Sequence, residues 1–240
     1  MRQVPQYLII GNGRVARHFQ HYFSLLKLTF LLWNRQESTT KLRDNLKRSS
    51  HVLLLISDKA IENFITQHLP SSKAILIHFS GSLITEKAYG SHPLMTFKDD
   101  LYTLETYQSI PFILDHNAPA FEILFPQLTN QHYRLHQSLK EKYHALCVLS
   151  GNFSCLLWQK LFFSFEDEFN LPPNIIHAYL LQQTHNLISN YRNALTGPLV
   201  RHDFSTIDKN LNALALDPYQ QVYQSFVSCY QQLKKEGQYE

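Results

Sequence analysis

A glycine-rich segment, Gly11-Asn12-Gly13-Arg14-Val15-Ala16, constrains the fold of this chain more than any other feature. It follows the apolar, strand-length run Tyr7-Leu8-Ile9-Ile10 and opens a stretch whose apolar residues recur at helical spacing. A G-x-G-x-x-A sequence between a strand and a helix is typical of a Rossmann unit, where the backbone of the turn holds a pyrophosphate. There Gly11 permits the tight turn, Gly13 lets the phosphates approach the backbone, and Ala16 keeps the helix close to the sheet.

The first half of the chain alternates short apolar runs with amphipathic helical stretches. Further strands are predicted at 28–33, 52–56 and 74–79, with helices at 14–26, 41–48 and 59–69, and with Asp58 as a helix cap. Strands at 111–114 and 133–135, around a helix at 118–128, complete the predicted sheet. Strands that are apolar on both faces and alternate with helices predict a doubly wound, mostly parallel sheet.

The pattern changes after Ser138. Residues 140–169 are predicted to form one long helix, and further helices are predicted at 174–194, 205–214 and 218–236. We therefore expect two domains, a dinucleotide-binding domain at 1–137 and an all-helical domain at 138–240. The helical domain has many apolar faces for its size, so we expect a homodimer that forms through it.

The end of the second strand, Leu32-Trp33-Asn34-Arg35, predicts which cofactor binds. Sites for NAD place Asp or Glu about 20 residues after the glycines to bind the ribose hydroxyl, and here that position carries no carboxylate. Arg35 can pair with a 2′-phosphate and stack on adenine, and Ser38 or Thr39 can add hydroxyl contacts. The sequence favours NADP(H), with Glu37 as the nearest objection.

Composition limits the remaining classes of function. A net charge of +3 with no dense basic block gives no reason to expect nucleic acid binding. Residues 1–5 lead into a strand without a leader pattern, and Gly151, Asn152 and Lys160 interrupt the longest apolar stretch, 146–165. Together with three cysteines expected to be buried thiols, this indicates a cytoplasmic protein that does not cross a membrane. No metal-ligand pattern is present in the sequence.

Several segments together resemble a known family. The Asn-Arg tip, Ile56-Ser57-Asp58 and Ile77-His78-Phe79-Ser80-Gly81 resemble the 6-phosphogluconate-dehydrogenase-like superfamily. Ser91-His92-Pro93-Leu94-Met95-Thr96-Phe97, Tyr143-His144-Ala145, Asn152 and the segment 194–203, Ala-Leu-Thr-Gly-Pro-Leu-Val-Arg-His-Asp, resemble Rossmann-like proteins with a DUF2520 domain. Those proteins are similar to ketopantoate reductase and pyrroline-5-carboxylate reductase. The resemblance covers about residues 7–215.

The resemblance implies an NADP-linked oxidoreductase with a helical second domain, often dimeric, and it does not imply a particular substrate. Two positions depart from the pattern. His202 stands where the family usually has glycine. Val148 stands where the wider superfamily has a catalytic lysine, four residues before the helix asparagine, so any general acid must come from elsewhere.

Candidate site residues follow the carboxyl ends of the predicted strands, where ligands bind in open α/β sheets. Ser57 and Asp58 are expected near the ribose or the nicotinamide, and Ser80 and Gly81 are expected to bind a substrate carboxylate. His92, with an ordinary pKa near 6.5, is either a proton donor to the product oxygen or nitrogen or a structural hydrogen-bonding residue ahead of Pro93.

The helical half supplies the remaining candidates. Asn152 either holds substrate or nicotinamide or makes an interhelical hydrogen bond, and His144 lies about two turns before it, roughly 80° around the helix. Arg201 and Asp203 either clamp an acidic substrate or form an ion pair that orders their loop. The sequence thus favours an NADP(H)-dependent reductase of a small carbonyl or imine compound, with hydride transfer in an interdomain cleft. The alternative is a non-catalytic NADP(H)-binding sensor or interaction protein.

Overall fold

A computed structural model of the chain describes residues 6–237, which form two compact units divided between Leu157 and Trp158. The predicted absence of a leader concerns residues 1–5 and lies outside the described residues. The predicted domain boundary at 137 coincides with the start of a helix rather than with this division.

Within the described residues, the first unit is built on seven short strands. They are β1 (Tyr7–Ile10), β2 (Phe30–Trp33), β3 (His51–Leu54), β4 (Ile75–His78), β5 (Tyr89–Pro93), β6 (Phe112–Asp115) and β7 (His132–Leu135). The helices between them are α1 (Arg14–Leu25), α2 (Thr39–Arg48), α3 (Asp58–His68), α4 (Leu104–Ser109) and α5 (Phe121–Leu124).

The strands form one sheet in the order β2-β1-β3-β4-β5-β6-β7. All neighbours are parallel except the antiparallel pair β5 and β6. Every residue of β1 is buried, and the side chains alternate between two cores, with Tyr7 and Ile9 on one face and Leu8 and Ile10 on the other. The predicted doubly wound, mostly parallel sheet is confirmed, and its strand order reverses at β1 and β3, the position where such sheets bind ligands.

Two elements of this unit differ from the sequence prediction. The strand β5 was not predicted because Gly90 and Pro93 lower strand propensity, yet it pairs with β4 on one side and β6 on the other. The predicted helix at 118–128 was too long, because α5 ends at Leu124 and Pro126 follows two residues later.

A continuous helical segment runs from Gln137 to Asp167. It consists of α6 (Gln137–Cys147), a π-helical stretch (Val148–Phe153) and α7 (Ser154–Asp167). The prediction of one long helix therefore missed the π-helical stretch, which contains Gly151 and Asn152. A π-helical insertion of this kind often occurs at functional sites.

The second unit is helical beyond α7. It contains α8 (His177–Asn190), α9 (Phe204–Ala213) and α10 (Tyr219–Lys235), with short 3₁₀ turns at Pro173–Ile176 and Tyr191–Asn193. Lys160 of α7 forms ion pairs with Glu168 and with Asp217, which precedes α10.

Much of the apolar surface of the long helix and of α8 lies exposed in this chain. The segment 137–167 is long and apolar enough to cross a membrane, and none of its most apolar window is buried. On α8, Leu181 and Ile188 are 69% and 80% exposed. The prediction of buried thiols was wrong, because Cys155 and Cys229 are exposed and Cys147 is half-buried, although all three are free as expected.

Candidate functional site

The glycine loop has the conformation that its sequence predicts. Gly11 has φ +124°, and a Cβ atom at this residue would lie 2.2 Å from the backbone oxygen of Leu55. Gly13 precedes α1 with no side-chain cap, and a Cβ atom there would have no neighbour within 4 Å. The first amides of α1 have no partner within the helix, and its first turn holds no acidic residue. The turn can therefore accept an anion against the positive end of the helix dipole.

A cavity of about 810 Å³ opens beside this turn, beyond the carboxyl ends of β1, β2 and β3. That volume is within the usual range of small-molecule sites. Its lining combines the glycine loop, the tip of β2, the start of α3 and the residues after β4: Gly11, Asn12, Gly13, Arg14, Val15, Trp33, Asn34, Arg35, Gln36, Leu54, Leu55, Ile56, Ser57, Asp58, Ala60, Phe64, His68, Phe79 and Ser80. Ala16 does not line the cavity but is buried under the loop, in the core between α1 and the sheet.

The tip of β2 presents a cation and no carboxylate to the cavity. Asn34 and Arg35 line it, whereas Glu37 does not. The Glu37 carboxylate accepts hydrogen bonds from the Lys41 side chain and from the Asn34 backbone amide, and the Lys41 contact lowers the pKa of this carboxyl. The Glu37 side chain therefore holds its own turn together and does not line the cavity. Among the described residues, the guanidinium of Arg35 has no ion-pair partner.

The hydroxyls expected beside Arg35 have a structural role. Ser38 is the N-cap of α2, where its side chain accepts a hydrogen bond from the Lys41 amide at 3.2 Å. Thr39 is the first residue of α2, and neither residue lines the cavity.

Arg14 lies at the rim of the cavity, and its side chain is engaged on the protein surface. Its Nε atom is 3.4 Å from Asp99 Oδ1, the atom that Arg17 also contacts, at 2.6 Å. Ser57 is the N-cap of α3 but makes no capping hydrogen bond with its side chain, so its hydroxyl is free to meet a ligand. The close turn at Gly11, the open space at Gly13 and the Arg35 guanidinium, unpaired among the described residues, together fit a dinucleotide.

Ser80 connects the cavity to the end of β4. Its hydroxyl donates to Asp58 Oδ2 at 2.5 Å and accepts from the backbone amides of Ser82 and Leu83, at 3.2 and 2.9 Å. Asp58 is the first residue of α3 rather than its cap as predicted, because the N-cap position belongs to Ser57. The Ser80 hydroxyl is thus fully engaged in holding the turn after β4 against α3.

Two histidines lie over Gly81. A Cβ atom on Gly81 would lie 2.3 Å from the His144 ring and 3.1 Å from Nε2 of His92, so any side chain here would displace one of these rings. The two rings are nearly perpendicular, with centroids 5.9 Å apart. Nδ1 of His92 is 2.8 Å from the hydroxyl of Tyr143. The structure therefore places Ser80, Gly81, His92 and His144 together.

Burial keeps His92 neutral. Desolvation, followed by the nearby His144 and Lys140, lowers the pKa of His92 to about 4. The pKa of His92 therefore lies below the ordinary histidine value of about 6.5. At neutral pH the imidazole can donate a hydrogen bond from one nitrogen while the other nitrogen accepts one.

A buried ion pair that the sequence analysis missed lies behind these histidines. Lys140 Nζ is 2.6 Å from Asp115 Oδ1, and both side chains are about 5% exposed. The other carboxylate oxygen of Asp115 accepts from the Gly90 amide at 2.8 Å and lies 3.9 Å from His78 Nε2. This pair fixes α6 to β5 and β6. Lys140, Tyr143 and His144 are spaced i, i+3 and i+4, so one helix face carries the ion pair and the residues that reach His92.

His78 and Ser91 carry polar atoms that are buried without a partner. Both ring nitrogens of His78 and the hydroxyl of Ser91 lack hydrogen bonds among the described residues. Desolvation, followed by Lys140, lowers the pKa of His78 to about 4, against an opposing effect of Asp115.

The remaining candidates, Asn152, Arg201 and Asp203, lie later in the chain. Asn152 lies in the π-helical stretch, where its side chain is exposed. Asp203 is the N-cap of α9 and bonds the Thr206 amide and hydroxyl at 3.0 and 2.7 Å, which lowers the pKa of this carboxyl. Among the described residues Arg201 forms no ion pair with Asp203, and the clamping of an acidic substrate by these two residues stays a prediction. His202 has φ +57°, the left-handed conformation that explains the usual glycine at this position.

Comparison with known proteins relates the chain to a family and to a fold. Residues 111–230 match the family described as a domain of unknown function, DUF2520. That match begins in the sheet, at β6, and extends through most of the helical part. No curated protein matches the chain.

Several solved structures share the fold over nearly the whole chain. A proposed NADP oxidoreductase from Bacteroides fragilis has a TM-score of 0.76 and 16% identity, covering 94% of this chain and 97% of that one. An imine reductase from Myxococcus stipitatus in complex with NADP⁺ has a TM-score of 0.63 and 13% identity, covering 98% and 96%. A reductive aminase from Aspergillus terreus in complex with NADPH and ethyl levulinate has a TM-score of 0.61 and 14% identity, covering 98% and 95%. At these identities the likeness shows the fold.

Proposed function

We propose that this chain, a member of the DUF2520 family, is an NADP(H)-dependent reductase of a small carbonyl or imine compound. It combines a glycine turn of the kind that binds dinucleotides with a polar cluster beside it. The observation that carries the proposal is the cavity itself, which runs from the glycine loop at Gly11 to Ser80. Its far end adjoins Gly81, where His92 and His144 converge. The similarity of the fold to that of enzymes crystallised with NADP⁺ or NADPH supports the same function.

The residues of the cavity divide into two roles. The amides after Gly11 and the dipole of α1 bind the diphosphate, and Arg35 pairs with the 2′-phosphate. NADPH, when bound, supplies the hydride. Ser57 and Asp58 also line the cavity and orient the nicotinamide end, while Ser80 holds the turn that carries Gly81.

Substitution of Arg35 tests the choice of cofactor. Loss of a charge-assisted hydrogen bond to phosphate costs about 1.5–3 kcal/mol, so Arg35→Ala should weaken NADPH binding about 10- to 150-fold and weaken NADH binding, which loses only stacking on adenine, much less. Arg43→Ala is the matched control, because Arg43 is an exposed arginine of α2 outside the cavity. Calorimetric titration of both variants with both cofactors measures the effect. An unchanged preference in Arg35→Ala would refute this role of Arg35.

Turnover separates a reductase from a binding protein. Val148 stands where the wider superfamily has a catalytic lysine, which favours a sensor that binds NADP(H) without reducing a substrate. NADPH oxidation with a panel of 2-oxo acids, ketones and cyclic imines measures the difference. Cofactor binding with no turnover across the panel would favour the sensor, and the absence of any nucleotide binding would contradict both functions.

We further propose that a second copy of the chain covers the exposed apolar helices. From Trp158 onward, only four apolar side chains among the described residues are buried, namely Ile176, Ile207, Val227 and Tyr230. Four side chains are too few to stabilise a helical unit of this length, since small units bury too little surface on folding. The ion pairs of Lys160 with Glu168 and Asp217 favour an aqueous, protein-covered surface over lipid.

The oligomeric state tests this proposal directly. Light scattering after gel filtration should give the mass of two chains. Ile188→Asp should give single chains or unfolded protein, because Ile188 is 80% exposed in one copy and would be buried in the dimer. Gln183→Asp, at an exposed residue about 140° around the same helix from Ile188, is a control of equal charge change. A monodisperse, folded single chain for the unmodified protein would contradict the proposal, and so would recovery only with detergent.

A further inference from the structure

The hydrogen bond between His92 and Tyr143 occupies one ring nitrogen of His92 and leaves the other available to a ligand. Nδ1 of His92 lies 2.8 Å from the Tyr143 hydroxyl, and the rings meet edge to face at 81°. Nε2 has no hydrogen-bond partner among residues 6–237. It lies 3.1 Å from the position that a Cβ atom on Gly81 would occupy, next to the last residue of the cavity lining, Ser80.

The chemistry of the neighbours fixes the tautomer. Burial and the nearby Cys147 raise the pKa of the Tyr143 phenol, which therefore keeps its proton at neutral pH. The acceptors within reach of that proton are the His92 Nδ1 lone pair and the sulfur of Cys147. Because a thiol sulfur is a weak acceptor, the phenol donates to Nδ1. A neutral imidazole whose Nδ1 accepts a hydrogen bond carries its own proton on Nε2.

We propose that His92 presents an Nε2–H group to the substrate, that Tyr143 is the positioning residue that sets this tautomer, and that the substrate is accordingly a C=O compound. This inference rests on the proposed reductase function. A carbonyl oxygen accepts a hydrogen bond and becomes more negative as hydride arrives, so a preformed donor stabilises its transition state. A protonated iminium nitrogen offers only N–H groups and would meet Nε2–H as donor against donor.

Each bond that forms in this reduction is matched by a bond that breaks. Hydride adds to the carbonyl carbon, and the C=O π pair moves onto oxygen. The resulting alkoxide takes the Nε2 proton of His92, while the Tyr143 hydroxyl gives its proton to Nδ1, so the imidazole stays neutral. An alkoxide is more basic than a phenolate, which makes the transfer favourable. Tyr143 is half-buried, and the starting state returns when Nδ1 gives its proton back to the phenolate and Nε2 takes up one proton from solvent after the alcohol has left.

The charged and titratable groups around His92 come from three elements. Asp58 belongs to α3, His78 to β4, and Lys140, Tyr143 and His144 to α6. Lys140 is already paired with Asp115, and Asp58 accepts from Ser80. Neither carboxylate therefore takes the Nε2 proton, and the donor remains directed toward Gly81.

Nitrogen-15 NMR of the histidine-labelled protein tests the tautomer without any substrate or cofactor. His92→Gln identifies the His92 resonances by their loss. We expect a pyridine-like shift at Nδ1 and a pyrrole-like shift at Nε2 in the unmodified protein at pH 7. Tyr143→Phe should move both shifts toward a mixture of tautomers, and Tyr133→Phe, at an exposed tyrosine of β7, should leave them unchanged. A proton on Nδ1 in the unmodified protein would overturn the proposal.

Kinetics with a matched pair, a ketone and the cyclic imine of the same carbon skeleton, tests the substrate class. We expect a higher kcat/KM for the ketone, and in Tyr143→Phe a kcat about tenfold lower with KM within about twofold. Gln at position 92 keeps an N–H donor, so His92→Gln should retain part of the activity and lose its dependence on Tyr143. Preference for the imine would overturn the proposal. Absence of turnover with both compounds, beside an Nε2–H tautomer, would refute the reductase function and its substrate class while leaving the His92–Tyr143 geometry intact.

Discussion

The two glycines of the nucleotide turn should respond oppositely to the same added methyl group. Gly11→Ala places a Cβ atom 2.2 Å from the backbone oxygen of Leu55, at φ +124°. Gly13→Ala places one in open space, at φ −76°. The first change strains the fold, whereas the second changes only the space where a pyrophosphate would lie. The pair therefore separates the stability of the turn from its binding function.

The magnitudes follow from this geometry. A non-glycine residue in this positive-φ region costs about 1–3 kcal/mol, and the Leu55 oxygen belongs to a buried backbone that cannot move aside easily. A total of about 3 kcal/mol or more is expected for Gly11→Ala, which for a chain of this size lowers Tm by at least about 6–12 °C. Gly13→Ala loses only the preference of an N-cap for glycine over alanine, below about 1 kcal/mol.

Thermal unfolding without ligand and calorimetric titration with NADPH measure the two effects separately. Gly13→Ala should keep its Tm within about 4 °C and raise the Kd for NADPH at least about tenfold, equivalent to about 1.4 kcal/mol. A folded Gly13→Ala variant that binds NADPH as tightly as the unmodified protein would show that no phosphate lies on this turn. An unchanged Tm for Gly11→Ala would show that the backbone of the turn is not held in the described conformation.

Two further predictions concern the polar groups behind the site. Because the pKa values of His78 and His92 are both lowered to about 4, the unfolded chain takes up protons first as pH falls. The contribution of these two histidines to the free energy of unfolding should therefore be complete above pH 6.5. It should decrease between about pH 6.5 and 4, by about 1.4 kcal/mol per pH unit for each histidine. Urea titrations at pH 7 and 5 measure this, and equal stability at both would contradict it. Lys140→Met should cost about 3–5 kcal/mol by leaving the buried Asp115 charge unpaired, and adding Asp115→Asn should recover part of that loss in the same assay; a double variant no more stable than the single one would contradict this.

The parts of the molecule that sequence predicted well are those set by neighbours in the chain. The glycine turn lies between its own strand and helix, so spacing and residue type were enough to locate it. The direction of Glu37 could not be predicted in the same way. Its carboxylate accepts hydrogen bonds from the Asn34 amide and from Lys41, four residues later on α2. The sequence alone does not show which of several nearby donors a carboxylate will bind.

The cluster around His92 shows why the rest could not be predicted. His92 lies on β5, a strand that was not predicted because it contains Gly90 and Pro93. Its partner Tyr143 is 51 residues later, on α6, and the ion pair of Lys140 and Asp115 holds that helix in place. Sequence placed His144 two turns from Asn152 and so gave it little weight, whereas the fold brings it over Gly81. Val148 stands where the wider superfamily has a lysine, and five residues earlier the same helical segment supplies a phenol that acts through an imidazole. A chain that lacks the usual acid can thus retain a polarised hydrogen-bond donor at its site, provided that a distant buried ion pair keeps α6 in register with β5.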